Sequence, residues 1–339
     1  MEATIKDIAK KVNVSFATVS RALNNKNGVK RETRARVLEA AHSLNYRPNA
    51  IARGLVKRQT HSIGLVIPDI TNPFFPEVAR GIEDGAQEEG YNVFLCNTNW
   101  EVKREVQYLN LLIEKRVDGI IIAPIHNQVE GLVNSLQDRI PVVYVSKAPL
   151  NSENSFVVID NVRGGFLATR HLIECGYKGI GFIGASAGSP SCGHSLSVAE
   201  RLEGYKLALK KYGMEPEERF IRFGDFKRES GYNIIKRMIE EKDFPRAVFG
   251  ENDLLALGVM QGVKEMGLFV PGDVAVVGFD DIPLAGFPEI QLTTICQPKA
   301  EMGKIAVSIL LEQMKRGDGE TVNRKVILEP QLIVRKSSC

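Results

Sequence analysis

From residue 62 onward, short and nearly continuous apolar runs alternate with stretches of helical period, and few kinds of fold accommodate that pattern. The runs are 62–67, 91–96, 119–123, 142–145, 157–159, 180–183, 247–249 and 274–279, most of them separated by helical stretches at 78–89, 104–115, 165–174, 202–211, 230–241 and 254–266. A strand that is apolar at nearly every position is covered on both faces, which predicts parallel sheets flanked by helices. There are more runs than one such sheet comfortably needs, so two consecutive doubly wound halves are expected, meeting near Asp160. Ligands of such sheets bind beyond the carboxyl ends of the strands, here the cleft between the halves.

The first fifty-five residues follow different rules. Ile5, Ile8, Ala9 and Val12 form one apolar stripe of a short helix, and Thr4 with Asp7 has the spacing of a capping box. Ser15 can cap a second helix whose Val19, Ala22 and Leu23 face inward, which leaves Phe16, Ala17, Ser20 and Arg21 on the side that would enter a major groove. Val37, Leu38, Ala41 and Leu44 supply a third helix, for which Lys30 is a poor cap. This is the pattern of a helix-turn-helix, followed by a hinge at 46–55.

Charge distribution supports a nucleic-acid partner. Residues 1–60 hold thirteen Lys and Arg against four Asp and Glu, a net +9, whereas the rest holds thirty-one against thirty-seven, a net −6. Attraction to phosphate is the dominant non-specific term in DNA affinity, and the basic charge sits where the helices are. At 339 residues, 44% hydrophobic and 25% charged, the chain has the length and composition of an ordinary globular protein with two or three cores. No apolar run approaches the roughly 18 residues that span a bilayer, and no signal-peptide core opens the chain, so a cytoplasmic protein is expected.

Enzymatic and metal motifs are weak. Cys96, Cys175, Cys192, Cys296 and Cys339 are widely spaced without a C-x-x-C pair, so neither a disulfide framework nor a zinc site is expected; the first four read as small packing or surface residues and Cys339 as an exposed tail thiol. The histidines show no metal spacing. Residues 179–184 satisfy G-x-G-x-x-G, yet the glycines straddle an apolar strand instead of opening a helix, so no dinucleotide site is inferred. The Ser, Gly and Ala-rich stretch 186–192 reads as a loop beside the cleft, and nothing pairs with it as a hydrolase would require. No enzyme activity, cofactor or metal is expected.

Taken together, the headpiece, the hinge at 47–55, Asn72-Pro73-Phe74-Phe75, Lys115-Arg116-Val117-Asp118-Gly119, Gly278-Phe279-Asp280-Asp281 and Leu332-Ile333-Val334-Arg335-Lys336 resemble the LacI/GalR family across essentially the whole chain. The resemblance implies an N-terminal all-α helix-turn-helix headpiece and an α/β body like the type I periplasmic binding proteins, with two doubly wound parallel-sheet subdomains. The boundaries expected are 1–47 for the headpiece, 48–60 for the hinge and 61–339 for the body. Subdomain one would span about 61–160 and 293–324, and subdomain two about 161–292 and 325–339. The resemblance also implies a homodimeric repressor on a pseudo-palindromic operator. A dimer is favoured over a tetramer because the chain ends at Cys339 with no apolar heptad repeat.

DNA contacts are then expected from Thr4, Ser15, Phe16, Ala17, Thr18, Ser20, Arg21, Asn24, Thr33 and Tyr46. Asn49, Ala52, Arg53 and Leu55 would follow in the hinge, with Leu55 wedging a base step in the central minor groove. Arg21 is the main candidate for a base-edge contact, while Phe16 and Ala17 would select thymine methyls and shape. The run Ala17-Thr18-Val19-Ser20-Arg21 is similar to the catabolite-control branch, which implies a central C·G/G·C step. In the body, Asn72, Phe74, Phe75, Asp160, Arg201, Phe226, Asn252, Asp280 and Gln297 match ribose-binding proteins and ribose-operon repressors motif by motif, and Ser195 and Ser197 lie where purine-binding relatives read their ligand. Sugars need fixed donors and acceptors for hydroxyls and flat aromatic faces for C–H surfaces, so the implied effector is a small pentose-like sugar. The alternatives are a catabolite-control regulator whose effector is a phosphorylated carrier protein, and a purine-responsive repressor. A periplasmic sugar carrier is disfavoured by the headpiece.

Overall fold

Three helices, α1 (Ile5–Val12), α2 (Phe16–Leu23) and α3 (Arg31–Ser43), build the first of two compact units, 1–60 and 61–339, in the computed structural model. The structure describes residues 3–46, 59–125, 129–137, 140–149, 152–185, 196–316 and 323–339. The hinge positions Asn49, Ala52, Arg53 and Leu55, the loop 186–192 and Ser195 therefore lie outside the described residues.

The headpiece core is small and follows the apolar stripes. Ile8, Val12, Val19, Ala22, Val37, Ala40 and Ala41 are buried together, with Leu23 and Leu44 packed partly against them. Leu38, expected inside, is 49% exposed, because Val37, Ala40 and Ala41 already fill the face of α3 that meets α1 and α2. The Thr4–Asp7 capping box closes α1, Ser15 caps α2, and Lys30 offers α3 no side-chain cap.

The body carries two six-stranded sheets. In chain order the first half is β1 (Ser62–Ile67), α4 (Phe74–Glu88), β2 (Asn92–Asn97), α5 (Val102–Glu114), β3 (Gly119–Ile122), α6 (Val129–Gln137), β4 (Val142–Ser146) and β5 (Ser155–Ile159). The second is α7 (Asn161–Glu174), β6 (Ile180–Ala185), α8 (Leu196–Lys211), β7 (Ile221–Gly224), α9 (Arg228–Glu240), β8 (Ala247–Gly250), α10 (Asp253–Glu265), β9 (Ala275–Asp280) and β10 (Thr293–Cys296). Helix α11 (Lys299–Arg316) and strands β11 (Lys325–Leu328) and β12 (Gln331–Ile333) complete it. The sheet orders are β11-β5-β4-β3-β1-β2 and β12-β10-β9-β8-β6-β7, all parallel except that β12 runs antiparallel to β10. Every residue of β1, β6 and β9 is buried, the burial that continuous apolar runs announce.

The subdomain boundaries differ from those expected. Strand β10, placed by the sequence in subdomain one, pairs with β9 in the second sheet, and β11, placed in subdomain two, pairs with β5 in the first. The chain thus crosses between halves near 160, again between β10 and α11, which packs on α4, and a third time between β11 and β12. These strands are short and lie near the outer edge of each sheet, so their sequence carries little of the apolar continuity that marks the central strands.

Against the expectation of no disulfide, Cys175 and Cys339, read from sequence as a packing or surface residue and a tail thiol, are joined in one. Their 164-residue separation hides the pair in the sequence; the returning C-terminal segment brings them together.

Helices α7 and α8 approach so closely that a methyl group on Gly165 would collide with the backbone carbonyl of Arg201, and one on Gly204 with that of Val162. Gly165→Ala is expected to lower stability by about 1–3 kcal/mol through overpacking, seen as a lower unfolding temperature. Gly131→Ala, whose methyl meets nothing in α6, is expected to be neutral or to stabilise by up to about 1 kcal/mol. Equal effects at the two sites would contradict the packing described.

Candidate functional site

Two surfaces concentrate the residues that the sequence singled out. On the headpiece, the Ser15 hydroxyl accepts from the Thr18 backbone N–H at 3.1 Å, which satisfies an otherwise orphan donor and fixes where α2 begins. Phe16 is 56% exposed, and Ala17, Arg21 and Asn24 are exposed beside it. Thr18, Ser20, Thr33 and Tyr46 are half-buried, and Thr4 is exposed while held in its capping box. An apolar ring and a cation displayed on one short helix above a basic headpiece can meet base edges and phosphates together.

The second surface is the cleft between the sheets, and the strand ends build it. Asn72, Phe74 and Phe75 follow β1, Trp100 follows β2, Lys147 follows β4, Phe226 follows β7, Glu251 and Asn252 follow β8, Asp280 ends β9 and Gln297 follows β10. They line one cavity of about 40 Å³, well below the roughly 300–1,000 Å³ of small-molecule sites, so the cleft stands closed on its own side chains and a ligand must part them to enter. Of the residues expected here, Asn72, Phe74, Phe75, Ser197, Arg201, Phe226, Asn252, Asp280 and Gln297 come together. Asp160 does not join them. Its carboxylate caps α7 by accepting from the Arg163 N–H at 2.8 Å, and it lines a separate cavity with Asn161, Glu200 and Lys325.

Arg201 is the hub of the cleft. Its Nε donates to Asn161 Oδ1 at 3.0 Å, and its Nη1 donates to the Glu251 backbone oxygen at 2.6 Å and to Glu251 Oε2 at 3.0 Å. The guanidinium lies 3.6 Å from the centre of the Phe279 ring, and Asp280 Oδ1 stands 3.9 Å from Nη1. Asp280 in turn accepts from Gln297 Nε2 at 2.6 Å, whereas Gln297 Oε1 is buried without a hydrogen-bond partner among the described residues. Buried polar atoms in native structures are nearly always paired, so an orphan acceptor inside a cavity marks where a donor belongs.

The backbone under Asp280 is strained. Asp280 has a φ of 114°, beyond the left-handed region that Asp tolerates, and Asp281 follows at 50°, inside that region. Several contacts hold them there: Lys299 Nζ donates to the Asp280 and Asp281 carbonyls at 2.6 and 2.7 Å, Asp253 Oδ2 accepts from the Ile282 N–H, and Arg335 pairs with Asp281. Strain maintained by so many neighbours is characteristic of ligand clamps.

Three charged or aromatic lining residues escaped the sequence reading. Trp100, the one tryptophan in the chain, stacks on Phe226 across the cleft, with centroids 4.1 Å apart and planes 4° from parallel. Lys147 donates to the Ile125 carbonyl at 2.8 Å, and its ammonium lies 5.9 Å from the Trp100 ring centre. Glu251, the buried partner of Arg201, was overlooked beside the more conspicuous Asn252-Asp253 pair. In each case the residue directly follows, or stands a few positions beyond, a strand end, which is the signal that could have found it.

Burial dominates the electrostatics. It pushes Glu251 up to about 7 against the pull of Arg201, Glu105 to about 7 against a backbone N–H bond from Ile125, and Asp280 to about 6 against Arg201, Lys299 and Gln297. It pushes Lys147 down to about 8 despite Glu105 and Glu251. The raised carboxylates contribute stability that is complete below their ordinary values and lost as pH rises through 6 to 7. The depressed lysine contributes stability that is complete above 10.5 and lost as pH falls through about 8.

No group of His, Cys, Asp or Glu in the cleft has metal-ligand geometry among the described residues; the one such cluster is His171, Cys175 and Cys339, away from it. No helix among the described residues is long and apolar enough to cross a membrane.

Known proteins resemble the chain along its whole length. A family described as bacterial regulatory proteins, lacI family, matches residues 4–49, and one described as periplasmic binding proteins and sugar binding domain of LacI family matches residues 60–335. Catabolite control protein A of Priestia megaterium is 36% identical over 338 residues, covering 100% of this chain and 99% of that protein. The HTH-type transcriptional repressor PurR of Aliivibrio salmonicida is 36% identical over 337 residues, covering 99% and 98%. Among solved structures, the lac repressor dimer bound to operator and an anti-inducer superposes with a TM-score of 0.88 at 28% identity, covering 100% of this chain and 99% of that one. A LacI-family regulator from Enterococcus faecium with bound ribose gives 0.71 at 30% identity, covering 82% and 98%.

The titration pattern gives a direct test. Glu251→Gln removes one raised carboxylate, so the unfolding temperature of the variant relative to wild type is expected to climb between pH 5 and pH 8. A difference that stays constant with pH would contradict the burial assigned to Glu251.

Proposed function

This chain belongs to the lacI family of bacterial regulatory proteins, and we propose that it is switched by a pentose, ribose or a close relative, held in the cleft between the two halves of its body. It is a DNA-binding regulator of transcription and not an enzyme. The finer reading is that it represses from an operator in the cytoplasm as a homodimer, with α2 in the major groove and Leu55 of the hinge in the minor groove. The lac repressor dimer on its operator supports this arrangement, as do the exposed apolar side chains Phe94 and Leu95 on the edge strand β2, which suit a self-association surface.

The observation that carries the effector reading is the pairing of Arg201 with Asp280 beside Gln297 Oε1, which has no partner among the described residues. A fixed cation, a fixed carboxylate and an open acceptor together satisfy neighbouring hydroxyls, each as donor and acceptor. Phe74, Phe75, Trp100 and Phe226 offer the flat apolar faces that cover a sugar's C–H surface, and the Enterococcus faecium relative holds ribose. A purine is the second reading, favoured by the parallel Trp100–Phe226 pair, between which a planar base would stack if the rings parted. The purine-repressor relatives support it, and catabolite control protein A supports a protein effector instead.

The coupling follows from ligand contacts on both halves. A sugar touching Phe74 on one side and Arg201 on the other favours one relative orientation of the halves, and it shifts DNA binding by its differential affinity for the two orientations. Calorimetric titration of ribose, other pentoses and purine bases decides among the readings. Wild type is expected to bind a pentose, and Arg201→Ala and Asp280→Asn to lose roughly ten- to a hundredfold in affinity, each having removed charge-assisted bonds of about 1.5–3 kcal/mol. Operator binding without ligand is expected to survive in both variants. Purine binding alone would replace the sugar, and no small-molecule binding would favour the protein effector.

A further inference from the structure

The C-terminal segment is stitched onto the second subdomain by more bonds than a chain end ordinarily makes. The Arg335 N–H donates to Thr293 Oγ1 at 2.8 Å, and the Ser337 hydroxyl donates to the Val276 carbonyl at 2.6 Å while accepting from the Thr293 N–H at 2.8 Å. The Val276 N–H donates to the Ser337 carbonyl at 2.7 Å. The Ser338 hydroxyl sits 2.7 Å from Thr293 Oγ1 and 2.8 Å from His171 Nε2. Ser337 and Ser338 are buried, and together they deliver Cys339 to Cys175, the residue that ends helix α7. The two Cα atoms are 6.1 Å apart, inside the range that a disulfide spans.

A third group completes the site. His171 lies one helical turn before Cys175, buried, with Nε2 3.7 Å from Cys175 Sγ and 3.8 Å from Cys339 Sγ. Burial holds the imidazole below its usual value, which favours the neutral ring. Cys339 is exposed and Cys175 is half-buried, which leaves one sulfur open to attack from solvent.

We propose that Cys175, Cys339 and His171 form a thiol–disulfide exchange site, modified reversibly by low-molecular-mass thiols, that clasps the C-terminal segment to the end of helix α7. The exchange balances without any group beyond the thiol. A thiolate attacks Cys339 Sγ, the bond to Cys175 breaks, and the Cys175 sulfur leaves with the electron pair. In the tautomer with its proton on Nε2, the His171 N–H, shared between Ser338 Oγ at 2.8 Å and the Cys175 sulfur at 3.7 Å, stabilises that departing thiolate, which then takes a proton from solvent. A second thiolate attacks the outer sulfur of the mixed disulfide and releases Cys339 as a thiolate. Overall the protein disulfide and two thiols become two protein thiols and one small disulfide.

The role of the clasp follows from what the segment touches. Residues 331–339 include β12, which pairs with β10, and Arg335, which pairs with Asp281. Closing the disulfide constrains the unfolded chain over a 164-residue separation and holds the segment in register against β9 and β10. Opening it leaves the hydrogen bonds in place without a covalent hold.

The test uses the full-length protein equilibrated in mixtures of reduced and oxidised glutathione, then acid-quenched, denatured, alkylated and mapped by mass spectrometry. Cys175 and Cys339 are expected to convert together in one two-electron transition, with Cys96 and Cys296 alkylated throughout. His171→Gln is expected to slow the exchange several-fold. Hydrogen exchange of the 331–339 amides is expected to quicken on reduction in wild type and to be indifferent to the buffer in Cys339→Ser. Both cysteines remaining thiols in the most oxidising mixture, or Cys339 pairing with Cys192, would overturn the proposal. So would exchange of the segment that does not respond to reduction. Stoichiometric zinc uptake by the reduced protein that blocks the linkage would replace it with a metal site at the same three side chains.

Discussion

A guanidinium buried among carboxylates organises this protein's cleft. Arg201, Glu251 and Asp280 are all nearly inaccessible, and taking three charges out of water is expensive unless each finds partners. The neighbours are arranged to provide them: Asn161 and the Glu251 carbonyl take the Arg201 donors, Phe279 lies flat beneath it, and Gln297 and Lys299 hold Asp280 and its backbone. Replacing one partner would strand the others, a loss of about 3–5 kcal/mol in comparable buried pairs.

The same interactions reach across to the other half. Lys299 opens helix α11, which packs on α4, and its ammonium also stands 3.5 Å from Glu77 on that helix. Trp100 from the first half stacks on Phe226 from the second. Hence the cleft is lined from both sides by groups already engaged with one another, and a ligand entering it must exchange those contacts for its own. That exchange is what gives a small effector leverage over the relative placement of two halves joined by three crossings of the chain.

Much of this was legible in the amino-acid sequence because burial on two faces leaves a mark. Strands β1, β3, β6 and β9 are apolar at nearly every position, and helices α4, α7 and α10, which follow β1, β5 and β8, show a helical period. Strands β7, β10, β11 and β12 left no such mark, being three or four residues long with partly exposed or polar positions. The site shows the same division. Asn252 and Asp160 looked alike as polar residues after a strand, and both cap helices, yet Asn252 also lines the cleft and Asp160 does not. Lys147 and Glu251 carry charges that in a sequence suggest solvent; only the closing of one sheet over the other buries them. The Cys175–Cys339 pair depends on the path of a returning segment, which no local pattern encodes.

The central claim is that the effector enters between the two halves, and Trp100 reports on that event directly because it is the only tryptophan in the chain. Its emission should be followed during a ribose titration alongside calorimetric occupancy. The account predicts a saturable change in Trp100 emission, with acrylamide quenching altered in parallel, that tracks occupancy as the sugar displaces the Phe226 stack. Calorimetric binding of ribose with Trp100 emission and quenching unchanged would place the ligand elsewhere and contradict it.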